Sequence, residues 1–404
     1  MTTTNKVGIY IHVPFCKSKC LYCGFYSSGG EFTPEAEAEY ADGIIEDIIE
    51  YGKRYGKLTE AYGFNDDTCI CESNDIDDKI LESQNQRKNY LVDSVFIGGG
   101  TPSVLSSSTV EKILDCLRES FDIADDCEIT IETNPGTLTG EKLCSYKRAG
   151  INRLSMGVQS LDNGILRRLG RIHTAEEFEK NFKQARAAGF DNINLDFMFS
   201  VPGHTMEIWE DTLRRAIRLG PEHISFYSLQ LEEGTPFFEM FRRGEIEEVP
   251  DELDRDMYHR AIEFFKEAGY MHYEISNCAK PGFECRHNLK YWSMDEYIGI
   301  GPTASSYIEG ARFTEGPYPE FHVNTLEDDM SEFIFTGLRK AEGISLTEFS
   351  EKYGQKFWDV YARCQTELKP YFDRGLLIYD KEMNRLRLGE YGIDISNGIM
   401  SVFV

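Results

Sequence analysis

Six apolar, β-rich runs separated by helical patterns are the feature of this 404-residue chain that most constrains its fold. The runs begin at Val7, Leu91, Glu128, Ile151, Ile193 and His223. Between them, apolar residues recur at helical spacing, with a cap such as Thr174 and closing glycines at 189 and 220. Strand and helix in alternation predict a parallel sheet. We therefore expect an α/β chain built around a partial, TIM-like (β/α)6 barrel.

The alternating pattern is interrupted once and ends well before the chain does. Residues from about 58 to 88 are acidic and poor in large apolar side chains, which predicts a solvated insertion. From about Glu320 the pattern is helical, and "GLLIYDKEMNRLRL" predicts a hairpin around residues 382–384. We expect a barrel core over 1–240, an extension over 241–318 and a small C-terminal domain of helices plus a β-hairpin, winged-helix-like, over 319–404.

Composition limits the classes of partner. The net charge is −26 and the pI is about 4.8, which disfavours a nucleic-acid partner because such proteins present a basic face. No apolar run is long enough to span a bilayer, and the start "MTTTNKVGIYIHVPF" lacks a signal-peptide layout. We therefore expect a cytoplasmic protein that is not integral to a membrane. The choice between a monomer and a homodimer stays open.

Three cysteines, Cys16, Cys20 and Cys23, follow the first run directly. Three thiolates at this spacing can hold three irons of a [4Fe–4S] cluster and leave the fourth iron open to a ligand. The alternative is a zinc loop with a distant fourth ligand. Because the chain has 11 cysteines, an odd number, a disulfide framework is disfavoured. Cys69 and Cys71, in the acidic insertion, are interpreted as an incidental pair.

The segment "YIHVPFCKSKCLYCGF" resembles the radical S-adenosylmethionine (SAM) superfamily, in the branch of the oxygen-independent coproporphyrinogen III oxidases (HemN) and the haem chaperones (HemW). The resemblance continues in the family's order through "FIGGGTPSVL", "IETNPGTLT", "GINRLSMGVQSLD", "NLDFMFSVPG" and "HNLKYW". It implies that Cys16, Cys20 and Cys23 bind a [4Fe–4S] cluster whose fourth iron is chelated by SAM. It also implies SAM contacts from Tyr10, Tyr22, Gly99, Gly100, Thr101, Glu132, Gln159, Arg171 and Asp196.

Each implied contact has a physical rationale. Glycines let a backbone approach a ligand closely. Glu132 and Asp196 are carboxylates on apolar strands, where a charge needs a partner. Arg171 could hold the SAM carboxylate as a planar fork. Without the resemblance, structural ion pairs would be the simpler interpretation of each charged residue.

Two features separate the chaperones from the oxidases. Phe25 stands where the oxidases carry a further cysteine, and only residues 1–6 precede the first run, where the oxidases carry an extension. "HNLKYW" matches the chaperones' haem-associated HNxxYW pattern through His287, Asn288, Tyr291 and Trp292, with Cys285 an alternative thiolate ligand. The resemblance therefore implies a haem chaperone that delivers haem to an acceptor, such as a membrane respiratory protein. The alternatives are a coproporphyrinogen III oxidase and another radical SAM enzyme acting on a tetrapyrrole, so enzymatic activity stays open.

Overall fold

A computed structural model describes residues 5–29, 32–58 and 88–404 of the chain. Its strands are β1 Lys6–Val13, β2 Phe15–Cys16, β3 Ser28–Gly29, β4 Leu91–Gly99, β5 Asp122–Thr133, β6 Arg153–Gln159, β7 Ile193–Phe199, β8 His223–Ser228, β9 Met271–Glu274, β10 Asn277–Ala279, β11 Tyr297–Ile300, β12 Ser305–Ile308, β13 Ala311–Thr314, β14 Glu320–Val323, β15 Ile344–Ser345, β16 Leu377–Asp380 and β17 Arg385–Leu388.

The helices cover the sheet and build the C-terminal region. They are α1 Pro34–Tyr55, α2 Ser107–Ser120, α3 Gly140–Arg148, α4 Asn163–Arg168, α5 Ala175–Ala187, α6 Met206–Leu219, α7 Pro236–Arg242, α8 Asp251–Glu267, α9 Arg286–Ser293, α10 Leu326–Gly337, α11 Leu346–Tyr353, α12 Phe357–Val360, α13 Cys364–Asp373 and α14 Ser396–Met400. No helix in the described part of the chain has the length and apolarity needed to cross a bilayer.

The main sheet has twelve strands in the order β14-β13-β12-β11-β1-β4-β5-β6-β7-β8-β10-β9. The six strands β1 and β4 to β8 are mutually parallel, which confirms the predicted (β/α)6 core. β11 flanks β1 and β10 flanks β8, so the described strands form an open sheet rather than a closed ring. The barrel is therefore partial, as predicted.

Apolar and polar side chains alternate along the strands, and this separates the packed core from the interior cavity of the partial barrel. On β7, Ile193, Leu195 and Phe197 are fully buried in the main apolar core, while Asn194 and Asp196 line an interior cavity. Successive side chains of a strand point to opposite faces. The apolar face therefore packs against the surrounding helices, and the polar face is left free to build a site.

Helix ends follow the sequence signals closely. Thr174 caps α5 in a capping box with Glu177, and Gly220 ends α6 in the left-handed conformation, with φ of 69°. Thr174 therefore fixes the start of α5, and Gly220 returns the chain to the amino end of β8.

The C-terminal region confirms one expectation and corrects another. The predicted hairpin forms as β16 and β17, and β17 also pairs with β15. The helical pattern expected from about Glu320 begins only at Leu326, because residues 320–323 pair with β13 as an edge strand of the main sheet. The predicted acidic insertion, including Cys69 and Cys71, lies almost entirely outside the described residues.

Candidate functional site

The loops at the carboxyl ends of the parallel strands surround a cavity of about 430 Å³. All the predicted cluster ligands and all the predicted SAM contacts except Tyr10 line it. They are Cys16, Cys20, Tyr22, Cys23, Gly99, Gly100, Thr101, Glu132, Gln159, Arg171 and Asp196. These residues come from β1 to β7 and the loops that follow, so the sheet brings together positions that are far apart in sequence.

The three cysteines lie in the loop that follows β1 and hold free thiols. The Thr101 hydroxyl donates to Cys16 Sγ at 3.4 Å, and Arg171 Nη1 donates to Cys20 Sγ at the same distance. Burial raises the pKa of the Cys23 thiol, and the neighbouring Cys20 and Cys16 raise it further. Three thiolates in this loop therefore need added positive charge, which the irons of a cluster would supply.

The spacing of the thiols bears on the kind of metal site. Within residues 5–29, 32–58 and 88–404, no three His, Cys, Asp or Glu side chains lie close enough to hold a single metal ion. A structural zinc would draw four ligands onto one ion, whereas a [4Fe–4S] cluster gives each thiolate its own iron and keeps the thiolates apart. The assignment of the three thiols to a cluster rather than to zinc stays a prediction.

Glycines form the wall that packs against the cysteine loop. The Gly100 N–H donates to Val13 O at 2.8 Å, and a Cβ at Gly100 would lie 2.7 Å from Phe15 O and 3.1 Å from Cys16 Sγ. Gly99 has φ of 106°, which favours glycine. The segment after β4 can therefore approach the cysteine loop only without side chains.

Two carboxylates lie on the cavity wall without an ion-pair partner among the described residues. Glu132 accepts the Gly99 N–H at 3.1 Å, and burial together with the charge of Asp196 raises its pKa to about 8. Asp196 accepts from Asn194 Nδ2 at 2.8 Å and from Ser155 Oγ at 3.2 Å, and burial raises its pKa. Such groups suit a ligand that brings hydroxyls and positive charge.

The Arg171 guanidinium already donates hydrogen bonds to other protein groups, so it is not free to hold a carboxylate as a planar fork. Besides Cys20, its guanidinium donates to Asn134 Oδ1 at 2.7 Å and to the Gly157 carbonyl. Asn134 also donates to Thr101 Oγ1 at 2.8 Å, so it links the loops after β4, β5 and β6. Asn134 is not among the predicted site residues, although its position directly after the carboxyl end of β5 was the available signal.

Beneath this site lies a second cavity of about 200 Å³. Glu132, Ser155 and Asp196 line both cavities. The lower cavity is also lined by Tyr10, Phe96 and Arg153, and by three residues of the "HNLKYW" segment, namely His287, Asn288 and Tyr291. Three of the four predicted haem residues therefore lie beneath the predicted SAM residues, and Trp292 lines neither cavity.

His287 is only 1% exposed, and both its ring nitrogens are engaged. Nδ1 is 2.9 Å from Ser94 Oγ and Nε2 is 2.9 Å from Tyr291 Oη. Burial, with the nearby Lys290 and Arg153, lowers the pKa of His287 to about 3, so the ring is neutral. Coordination of a haem iron by His287 would require one of these hydrogen bonds to break.

The other predicted haem residues are also engaged in packing. The Trp292 ring is covered by the guanidinium of Arg339 at 4.3 Å. Cys285 is fully buried, and burial raises the pKa of its thiol to about 12, which keeps it protonated at neutral pH. By contrast, Phe25 is 70% exposed at the mouth of the upper cavity.

Comparisons with known proteins agree with this architecture. The family model of the radical SAM superfamily matches residues 71–216, and that of the HemN C-terminal domain matches residues 324–395. The chain is 33% identical to the heme chaperone HemW of Bacillus subtilis, over 98% of both chains. It is 36% identical to the heme chaperone HemW of Escherichia coli, over 93% of this chain and 92% of that one.

More distant proteins cover a similar length. The mouse mitochondrial radical S-adenosyl methionine domain-containing protein 1 is 28% identical over 94% of this chain and 83% of its own. The solved structure of the coproporphyrinogen III oxidase HemN from Escherichia coli, described as a radical SAM enzyme, superposes with a TM-score of 0.80. It is 20% identical and covers 99% of this chain and 90% of its own, which establishes the shared fold.

Proposed function

Because this chain belongs to the HemW branch of the radical SAM superfamily, we propose that it is a chaperone that binds haem and a SAM-ligated [4Fe–4S] cluster and delivers haem to an acceptor protein. The observation that carries the proposal is the convergence on one cavity of three free thiols and two carboxylates that form no ion pair with any described residue. The Bacillus subtilis and Escherichia coli relatives, which match the chain over nearly its whole length, are named heme chaperones.

Each wall of the cavity has a distinct task in this proposal. Cys16, Cys20 and Cys23 would hold three irons, and Arg171 and Thr101, which already donate to sulfur, would offset thiolate charge. The glycine segment after β4 lets the backbone approach a ligand at close range. Glu132 and Asp196 would face the cationic and hydroxyl groups of SAM. When bound, the cluster supplies the electron that can cleave SAM.

The exposure of Phe25 at the mouth of the upper cavity supports a chaperone function over an oxidase function. Phe25 stands where the oxidases carry a further cysteine, and its ring projects into solvent. An exposed aromatic ring beside a ligand cavity provides an apolar contact surface and no thiol chemistry. Delivery of haem to a respiratory acceptor is the part of the proposal that rests on the relatives' names.

The cluster is tested by anaerobic reconstitution of the full chain. We expect about four irons per chain and the broad absorbance of a [4Fe–4S] cluster, both lost in the triple variant Cys16→Ala, Cys20→Ala, Cys23→Ala. Cys144→Ala, which removes an exposed thiol on α3, is the matched control and should retain the cluster. An intact cluster in the triple variant would remove these cysteines from the role.

The chaperone activity is tested with reduced, cluster-loaded protein. We expect stable haem binding, seen as a Soret band, and transfer of that haem to membranes containing a respiratory acceptor. In a parallel reaction with SAM and coproporphyrinogen, we expect no decarboxylated product. Release of carbon dioxide from coproporphyrinogen would instead assign the oxidase activity.

A further inference from the structure

We propose that the lower cavity is a carboxylate-binding site in which Arg153 pairs with a propionate of bound haem. The inference rests on the haem binding proposed above, and it names the charge partner that this ligand would find inside the protein. Two observations carry it. One is a buried guanidinium without a partner among the described residues, and the other is an amide of the "HNLKYW" segment with the same property.

Arg153 is a buried cation that the described part of the chain does not pair. It is the first residue of β6, it is 1% exposed, and it lines the lower cavity. Its guanidinium donates no hydrogen bond to any described residue, although Glu128 and Asp196 attract it from a distance. An arginine stays protonated in proteins, and a buried charge without a partner is costly. The side chain therefore suits an anion that a ligand brings.

The carboxylates around Arg153 leave its charge available. Burial and the charge of Asp196 raise the pKa of Glu132 to about 8, so Glu132 is mostly uncharged at neutral pH. Asp196 accepts hydrogen bonds from neutral side chains. Glu128 accepts the backbone N–H groups of Arg286 and His287 at 3.3 Å and 3.2 Å, which holds it at the start of α9. Positive charge in the cavity is therefore left for a ligand.

The "HNLKYW" segment contributes a second donor to the same cavity. Asn288 lines it together with Arg153, and its side-chain amide forms no hydrogen bond within residues 5–29, 32–58 and 88–404. A guanidinium fork and an amide N–H are both donors that bind carboxylates. Since one water occupies about 30 Å³, a cavity of about 200 Å³ has room for a carboxylate on a two-carbon arm.

SAM also carries a carboxylate, but the arrangement of the two cavities favours haem as its source. In the function proposed above, the SAM carboxylate chelates an iron beside Cys16, Cys20 and Cys23, which line the upper cavity and not the lower. Arg153 lines the lower cavity and not the upper. The residues that the resemblance implies for haem share that lower cavity with it. The propionates of haem are therefore the carboxylates expected there.

The test compares haem with haem dimethyl ester, in which both carboxylates are neutral. Soret titrations use the full chain, anaerobic and cluster-loaded, as wild type and as Arg153→Gln. We expect Arg153→Gln to bind haem roughly ten- to hundredfold more weakly, because it loses a buried charge-assisted hydrogen bond, and to bind the ester as wild type does. Arg153→Lys keeps the charge without the planar fork, so its loss of haem affinity should be smaller.

Asn288→Asp tests the same cavity without removing the buried cation. The new carboxylate would compete with the propionate for Arg153, so haem affinity should fall while ester affinity stays unchanged. Arg186→Gln is the matched control, because its guanidinium is already paired with Glu222 and two backbone carbonyls and lines neither cavity. It should leave both affinities unchanged. Cluster content and far-UV circular dichroism identify any variant that fails to fold, and if Arg153→Gln does, Asn288→Asp carries the test.

Two results would overturn the inference. One is an equal change in affinity for haem and for its dimethyl ester in Arg153→Gln and Asn288→Asp, including no change in either. The other is wild-type haem affinity in Arg153→Gln together with weaker binding of SAM but not of decarboxylated SAM, which would assign the cavity to the SAM carboxylate. If wild-type protein binds neither haem nor its ester, the proposed function fails instead, so the two failures are distinguishable.

Discussion

Glu132 shows how a single residue ties the site to the stability of the protein. Its carboxyl lies on the cavity wall, where burial and the charge of Asp196 oppose ionisation and raise its pKa from 4.5 to about 8. Within the described part of the chain, its hydrogen-bond partner is the backbone N–H of Gly99. The ligand-free protein therefore carries a neutral Glu132 at pH 7, and a cationic ligand would favour release of that proton.

The first prediction follows from this shift. Between pH 4.5 and 8 the folded state holds a proton on Glu132 that the unfolded state has released, so the free energy of unfolding falls as pH rises through this window. Glu132→Gln removes that proton, and we expect its free energy of unfolding to fall less over the same range. Urea unfolding of the ligand-free proteins at pH 5, 7 and 9 measures the difference. Parallel pH dependences of the free energy of unfolding in the two proteins would contradict the raised pKa of Glu132.

The second prediction concerns SAM binding at the same residue. Because the cation should bind ionised Glu132 more tightly, we expect SAM affinity to rise with pH up to about 8 and then to level off. Calorimetry in buffers of different ionisation enthalpy should show proton release that Glu132→Gln loses. SAM has a titratable amino group of its own, so the decisive quantity is the difference in proton release between wild type and Glu132→Gln. Equal proton release in the two proteins would contradict the role of Glu132.

At the scale of single elements, long periodic segments were predictable and short ones were not. The six parallel strands and the caps at Thr174 and Gly220 agree with the sequence patterns, because each strand carries several apolar residues with a consistent period. Strand β14 was missed since its four residues provide too little periodicity, and its pairing with β13 comes from tertiary context. The stack of His287 on Phe96 joins residues distant in sequence, so no local pattern could reveal it.

The third prediction uses the glycine that follows β4. In Gly100→Ala the new Cβ would meet two backbone oxygens, Phe15 O and Val13 O, at 2.7 Å and 2.9 Å, and backbone cannot rotate aside as a side chain can. We expect a loss of roughly 1–3 kcal/mol in stability and displacement of Cys16, with lower iron content. Gly43→Ala in α1 is the control, because nothing lies within 4 Å of its Cβ and alanine should stabilise the helix by about 0.5–1 kcal/mol. Normal iron content and stability in Gly100→Ala would contradict the close approach.

On the scale of the whole molecule, the C-terminal region covers the β9 edge of the open main sheet. The Ala341 N–H donates to Tyr273 O at 2.9 Å, and the Ile275 N–H donates to Arg339 O at 3.1 Å, so backbone from this region pairs beside β9. An unpaired edge strand is a template for association with other chains. A second apolar core, which includes Phe333, packs beneath this junction.

The fourth prediction tests the contact between that region and the barrel helices. Asp394 lies 2.9 Å from His259 Nε2 and 3.4 Å from Arg255 Nη1, both on α8, and all three side chains are largely shielded from solvent. We expect Asp394→Asn to lower the free energy of unfolding by about 1 kcal/mol, with a smaller difference at high salt. Asp373→Asn is the matched control, because its pair with Lys369 is exposed within one helix and should contribute little. Urea unfolding measures the loss of free energy of unfolding in each variant. Equal losses would show that the Asp394 contact does not stabilise the packing of the C-terminal region against the barrel.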